Sequence, residues 1–574
     1  MNETGGCMNE EEIREMILSN DYLDFIRNFK SSPEVWLQEY ENYGAQAFGG
    51  GFGMVHIRRD LFSGNPMETL GYYAVPKLFT TLDTTSLEVS GILQVQTQPL
   101  LNYTGKDIIL GFIDTGIDYT LPAFRRSDGS SRILRIWDQT IQTGNSPENI
   151  FYGSVYTREQ MNDALASESP YMVVPSRDED GHGTLIAGIA AGSPDPSQDF
   201  TGAAPGADLV IVKLKPAKQN LRDFYLIREN ALAFQETDIM MAMRYLLEVS
   251  YELQKPIVIC LGLGSTQGSH TGDSPLAQIL TYYSGFTGCY ITVAAGNEAG
   301  MGHHFYGKID EPGGMQTAEI LVNESDRGFS LELWGQPPEL YSVGIVSPLG
   351  ETIQRIPARL GQSVTLRFTL ERTVIELYYE IVEAASGNEL ILLRFRNPTP
   401  GIWTIRVYND VFINGVFHMW LPVTGFLSQD TVFLAPNPDT TLTTPSSTEE
   451  VITISTYNAY NGGLFINSSR GYTKDGKIKP DIAAPGVNVP GPQISGGYAA
   501  YTGSSVAAAI TAGAVALLVN WGMDQNPDRL FTNFEVQGFL IRGATRSPQF
   551  LYPNREWGFG TLNLYQIFQN LMEQ

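Results

Sequence analysis

Ile108-Ile109-Leu110-Gly111-Phe112-Ile113-Asp114-Thr115-Gly116-Ile117 is the stretch that sets the fold. Its first six residues form an apolar run of the kind found in strands buried on both faces of a parallel sheet. Asp114 then stands at the strand's carboxyl end, where open α/β sheets gather their functional groups. Leu209-Val210-Ile211-Val212 repeats the pattern, and a helical segment follows over 239–253. This βαβ rhythm predicts an α/β fold, a parallel sheet covered by helices.

A second stretch, Thr502-Gly503-Ser504-Ser505-Val506-Ala507-Ala508-Ala509, leads into a small-residue helix over 510–521. Gly503 permits a tight turn, and free N–H groups at a helix start favour the negative charge that builds up in acyl transfer. Taken alone, Gly-Ser-Ser before an alanine-rich helix reads as an ordinary N-cap. A nucleophilic hydroxyl also needs a base, and the base needs a partner that fixes its tautomer. Of the six histidines, only His182 lies in a glycine-flanked turn entering a helix-like run, Asp180-Gly181-His182-Gly183-Thr184-Leu185-Ile186-Ala187-Gly188.

The three motifs, Asp-Thr-Gly-Ile, His-Gly-Thr-x-x-Ala-Gly and Gly-Ser-Ser-x-Ala in that order, resemble the subtilisin-like serine proteases. Val293-Ala294-Ala295-Gly296-Asn297 is similar to that family's oxyanion-hole segment, and 258–264 to the strand lining its substrate cleft. Gly202-Ala203-Ala204-Pro205-Gly206-Ala207 and 479–486 extend the match over most of 100–300 and 450–570. The resemblance implies Asp114, His182 and Ser505 as the catalytic set and Asn297 as the oxyanion donor. It implies Gly262, Leu263, Gly264 and Gly296 as substrate-binding positions. Around the nucleophile the chain departs from the family's pattern twice, with Ser504 where Thr is usual and Ala509 where Pro is usual. After His-Gly-Thr, Leu185 replaces a common His. Register against Gly503 and Ala507 selects Ser505 as the nucleophile, with Ser504 as the alternative.

At 574 residues the chain should hold two or three domains. A net charge of -25 argues against nucleic acid and anionic membranes as partners. Three cysteines, Cys7, Cys260 and Cys289, are an odd number, and two lie in apolar runs, which fits reduced, buried thiols. The N-terminus has no basic and then apolar segment, and no apolar run approaches the ~20 residues that span a bilayer. A cytoplasmic or spore-associated protein is therefore expected. No cofactor is implied. His303-His304 reads poorly as a metal pair, and no acidic loop has a spacing that names calcium ligands.

The catalytic core cannot begin before about residue 100, so 1–96 reads as an α+β prodomain. Ile13, Met16, Ile17, Leu23 and Ile26 suggest a surface helix there, and His56 reads as structural. The resemblance implies that this prodomain assists folding, occupies the active-site cleft and is cut off by the enzyme itself. The strand-like lead-in 90–96 places that cut at Gln96. Residues 132–137, with Arg125-Arg126, read as an inserted surface segment.

The core is expected over 97–310 and 446–574, interrupted by an all-β insert over 311–445. Phe329-Ser330-Leu331-Glu332-Leu333, Val364-Thr365-Leu366-Arg367-Phe368 and Trp403-Thr404-Ile405-Arg406-Val407 alternate with period two, as in a jelly roll. The Pro/Thr/Ser-rich 436–448 reads as its exit linker. This architecture resembles the Csp germination proteases of spore-forming clostridia, which activate the precursor of a cortex-degrading hydrolase by limited proteolysis. It implies a protein substrate of that kind. The alternatives are a silent pseudoprotease acting as scaffold or germination sensor, and a glycan-binding protein acting through the insert.

Overall fold

The computed structural model describes residues 10–62, 65–81, 89–98 and 101–572, with only the backbone of 79–81. At its centre is an eight-stranded sheet in the order Ile482–Pro485, Ile452–Tyr457, Cys289–Ala294, Ile257–Leu261, Ile109–Asp114, Asp208–Lys213, Ile133–Asp138, Ser154–Thr157. Every neighbouring pair is parallel except the last. Strands buried on both faces need apolar side chains throughout, and Ile109–Asp114 is buried at every position.

One face of the sheet carries the helix Ser504–Gln525. Its alanines and glycine let it lie against the sheet and against the helix His182–Ala191 in one apolar core. This helix is long and apolar enough to cross a membrane by length and composition, but 89% of its most apolar window is buried inside the protein. The other face is covered by Glu236–Leu253 and Pro275–Ser284, which form a second core. Cys260 and Cys289 are free, and burial pushes both thiols up to about 12. Cys7 lies outside the described residues.

The expected surface insert at 132–137 is instead a strand of the central sheet, Ile133–Asp138. Arg132 is buried and donates to the carbonyls of Ala191 and Ala207. Its charge marked it as surface, but internal carbonyls replace the water it gives up.

In the N-terminal region a helix, Glu10–Leu18, is followed by the strand Tyr22–Asn28, so Leu23 and Ile26 belong to a strand rather than to a surface helix. That strand, Gln46–Gly49 and Phe52–Arg58 form an antiparallel sheet. Its Ile26, Phe48 and Met54 join the second core of the central sheet. His56 is buried, with Nδ1 2.6 Å from Asp24 Oδ1, and Lys218 of the core donates to the same oxygen at 2.7 Å. Residues 90–96, expected to be extended, contain the helix Ile92–Thr97, packed against the C-terminal helix Leu564–Met572.

The insert is a sandwich of two antiparallel sheets, one of six strands and one of five, closed over a single core. It begins at His304–Lys308, ahead of the expected 311, because that strand pairs with Val416–Trp420. Its last strand is Val432–Phe433. The following 436–448 is no free linker. Thr441, Thr443, Thr444, Ser446, Ser447 and Thr448 are buried, and Ser265 and Thr444 exchange backbone hydrogen bonds of 3.1 and 2.7 Å.

Candidate active site

Asp114 ends its strand fully buried, and Oδ1 accepts the Thr115 N–H at 2.8 Å. His182 Nδ1 lies 2.7 Å from the same oxygen. His182 is the first residue of the helix His182–Ala191, whose free N–H groups are capped by Asp178: Oδ1 accepts from Gly181 N (2.8 Å), and Oδ2 from Thr184 N (2.8 Å). A Cβ on Gly183 would fall 2.2 Å from Gly116 O, so only glycine lets this helix approach the Asp114 strand so closely.

The third group arrives from the far end of the chain. Ser505 sits in the first turn of Ser504–Gln525, and its Oγ is 3.0 Å from His182 Nε2. Carboxylate, imidazole and hydroxyl thus form one chain of hydrogen bonds, all three side chains buried. The adjacent hydroxyl faces elsewhere: Ser504 Oγ accepts the Gly296 N–H at 3.2 Å. Sequence register selected Ser505 with Ser504 as the alternative, and in the structure it is Ser505 Oγ that lies beside His182 Nε2. Only Ser505 meets the histidine.

Asn297 follows the strand Cys289–Ala294, and its Oδ1 accepts the Ser504 N–H at 3.0 Å. With the carbonyl oxygen tied down, the amide NH2 is the group left to donate to a charge developing beside Ser505. Gly296 has φ +111°, and a Cβ there would meet Ser469 Oγ and Thr443 Cγ2, both at 2.7 Å. The backbone on either side is fixed: Thr443 N–H donates to Ala295 O at 3.0 Å and Ser469 N–H to Gly296 O at 2.9 Å. Asp178, Thr443 and Ser469 were missed as site residues by sequence reasoning, which weighed Ser504 only as the alternative nucleophile. Asp178 alone left a readable sign, an acid just ahead of a glycine-led helix.

Gly262 lies against the nucleophile, since a Cβ on it would be 3.0 Å from Ser505 Cβ and 3.3 Å from His182 Cε1. Next in the chain, Leu263–Gly264 pairs antiparallel with Leu78–Thr81 of the N-terminal region, Leu263 opposite Thr81 and Gly264 opposite Thr80. On the other side, Leu78 and Phe79 pair with Gln235 and Phe234. The N-terminal region thus lays a strand between two strands of the core, leading to Ser505. Residues 82–88, next in sequence, lie outside the described residues.

Gln96 is elsewhere. It lies in the helix Ile92–Thr97 and donates from Nε2 to Gly202 O (2.9 Å) and Ala203 O (2.7 Å). Ala203 N–H in turn bonds Ile189 O, near the far end of the His182 helix, about 10 Å along its axis from His182. A peptide bond in a helix so placed is not presented to Ser505, so the expected cut at Gln96 is corrected. The metal reading of His303-His304 also has a structural answer. His303 Nδ1 meets Glu298 Oε2 at 2.6 Å, whereas His304 faces Asn437 O at 3.0 Å and His418 Nδ1 at 2.9 Å. Neighbouring residues of an extended chain point to opposite sides.

Comparison with known proteins gives the same picture. The subtilase family model, peptidase S8, matches residues 105–325 and 380–560, more than half of the chain. The structure of the Clostridium perfringens CspB protease is similar, with a TM-score of 0.74 and 30% identity, covering 85% of this chain and 98% of that one. Subtilisin-like protease SBT3.12 of Arabidopsis thaliana is 23% identical over 464 residues, covering 74% of this chain and 56% of that protein. The C5a peptidase of Streptococcus pyogenes is 22% identical over 474 residues, covering 76% and 36%. The chain thus spans about half or less of the length of these curated relatives. A parallel sheet that brings an aspartate, a histidine and a serine together in that chain order, matched along most of its length, makes this chain a member of the subtilase family of serine proteases.

Proposed function

We propose that the protein is a serine endopeptidase that cuts its own N-terminal region from the core and then acts on a protein precursor by limited proteolysis. The observation that carries this reading is the hydrogen-bonded chain Asp114, His182, Ser505. Ser505 Oγ attacks the scissile carbonyl while His182 Nε2 takes its proton and later returns it to the leaving amine. Asp114 holds the imidazole with Nε2 facing the serine. Asn297 Nδ2 and the Ser505 N–H receive the oxyanion. Gly262, Leu263, Gly264 and Gly296 supply the backbone wall of the cleft.

Support for self-cleavage comes from the strand Leu78–Thr81, which lies where an extended substrate would lie, between Leu263–Gly264 and Phe234–Gln235. The N-terminal region up to this strand is then a prodomain that blocks the cleft until it leaves. The bond cut lies after Thr81 and before the helix that starts at Ile92. The finer reading, a cortex-hydrolase precursor cleaved during spore germination by a spore-associated enzyme, rests on the likeness to the Csp proteases.

Intact mass of the purified wild type beside Ser505→Ala tests the reading. Two fragments meeting between residues 81 and 92 in the wild type, and one whole chain in the variant, are expected. If both remain whole and a fluorophosphonate probe leaves Ser505 unlabelled, the protein is a silent scaffold or sensor and the reading fails.

A further inference from the structure

Where the N-terminal region, the core and the sandwich meet, arginines gather. A cavity of about 860 Å³ is lined by Arg59 from the first, Arg222 and Arg228 from the second, and Arg327 and Arg396 from the third. The chain carries 62 acidic side chains against 37 basic ones. Arg58, the chain neighbour of Arg59, has a carboxylate at hand in Asp60. Arg59, Arg228 and Arg327 have none within ion-pair distance among the described residues. Of the five, Arg396 pairs with Glu376 Oε1 at 3.2 Å; the cavity's own carboxylates are Asp223 and Glu229, and Asp223 already accepts from Gln219 Nε2 at 2.8 Å.

The walls are fixed in advance of any ligand. Arg222 donates to the carbonyls of Arg228 (3.1 Å) and Glu229 (2.6 Å), which holds the loop 226–231 in shape. Arg228 N–H bonds Phe426 O at 3.0 Å. Arg394 Nε bonds Phe224 O at 2.6 Å, tying the sandwich to the helix Gln219–Tyr225. Like charges held together on a rigid frame repel one another, and the repulsion is relieved when an anion enters.

We propose that this cavity binds a small oxyanion bearing two or more carboxylate or phosphate groups. Guanidinium forks match both groups in bidentate geometry, and three unpaired cations call for more than one negative charge. One arginine belongs to the N-terminal region, so a bound anion bridges that region to the core and the sandwich. By linkage, occupancy then opposes its departure.

The test uses the full chain carrying Ser505→Ala, which keeps the molecule in one piece. Tripolyphosphate and citrate are titrated into it by calorimetry at matched ionic strength. Saturable binding of one ion per chain is expected, with the tighter ligand assigning the phosphate or the carboxylate class. Arg228→Ala with Arg327→Ala removes two exposed side chains and should weaken binding about a hundredfold, roughly tenfold for each guanidinium removed. Arg59→Ala should weaken it about tenfold and reduce the ligand-induced rise in Tm. If the double alanine variant melts early, Arg228→Lys with Arg327→Lys replaces it. That pair keeps the charge but loses the forks, and weaker binding is again expected. No saturable binding of either ion, or binding unchanged in the double variants, overturns the site. Unchanged affinity in Arg59→Ala overturns the bridging role.

Discussion

Two neighbouring serines divide the chemistry at the head of one helix. Ser505 faces His182, while Ser504 satisfies the Gly296 N–H next to the oxyanion residue. Ser504→Ala leaves that buried N–H without its partner, at a cost of about 1–3 kcal/mol in stability. Labelling of Ser505 by a fluorophosphonate should persist in this variant, and loss of labelling with the fold intact would reverse the two roles. Asn297→Ala should leave a folded enzyme with kcat lowered about a hundred- to a thousandfold, the usual effect of losing one oxyanion donor. Steady-state kinetics beside a thermal melt separates that outcome from unfolding. Gly262→Ala places a methyl 3.0 Å from Ser505 Cβ and 3.3 Å from His182 Cε1. Both side chains must shift, so activity should fall sharply while Tm changes little. At this scale the sequence was informative, because Asp114, His182 and Asn297 sit in short motifs whose neighbours set their geometry. Thr443 and Ser469 were not legible, since each acts only by accepting or donating between segments that the fold brings together.

Among the elements, the strand Val374–Glu380 of the sandwich meets the N-terminal region directly. Glu380 Oε2 accepts the Tyr72 N–H at 2.9 Å. Burial raises its carboxyl from 4.5 to about 7, Glu383 adds to the rise, and the Tyr72 N–H and Lys77 oppose it. The folded protein therefore holds a proton on Glu380 that the unfolded chain begins to lose near pH 4.5. Stability from this group is complete below pH 4.5, declines as pH rises through the window to 7, and is flat above it. Glu380→Gln should flatten the fall in Tm that the wild type shows across that window, and an identical fall in both would remove Glu380 as its source. Elements also account for the misread stretches. Residues 92–97 have strand-like side chains but coil into a helix against Leu564–Met572, a partner far away in sequence. Arg132, just ahead of the strand Ile133–Asp138, carries a surface-like charge into the interior because the distant carbonyls of Ala191 and Ala207 receive it.

For the molecule as a whole, the sandwich is bound into the core rather than appended to it. Tyr72 and Leu78 of the N-terminal region, Leu221 and Tyr225 of the core, and Trp334 and Trp420 of the sandwich pack in one apolar cluster. Tyr72 OH donates to Glu332 of the sandwich, which also accepts from Trp334 Nε1 at 2.9 Å and Gly268 N at 2.9 Å. If the chain is cut as proposed, the two fragments should therefore elute together on size exclusion in buffer and separate only in denaturant. Separate elution in buffer would mean that this shared cluster does not hold them. The sequence by itself determined the parallel sheet, the insert's β character and the three motifs, because apolar period, turn residues and short-range register are local properties of a chain. Only the tertiary structure decided which group Ser504 meets, where the N-terminal strand enters the cleft, and which arginines lie unpaired around one cavity. Those facts depend on contacts between residues tens to hundreds of positions apart, which no local pattern encodes.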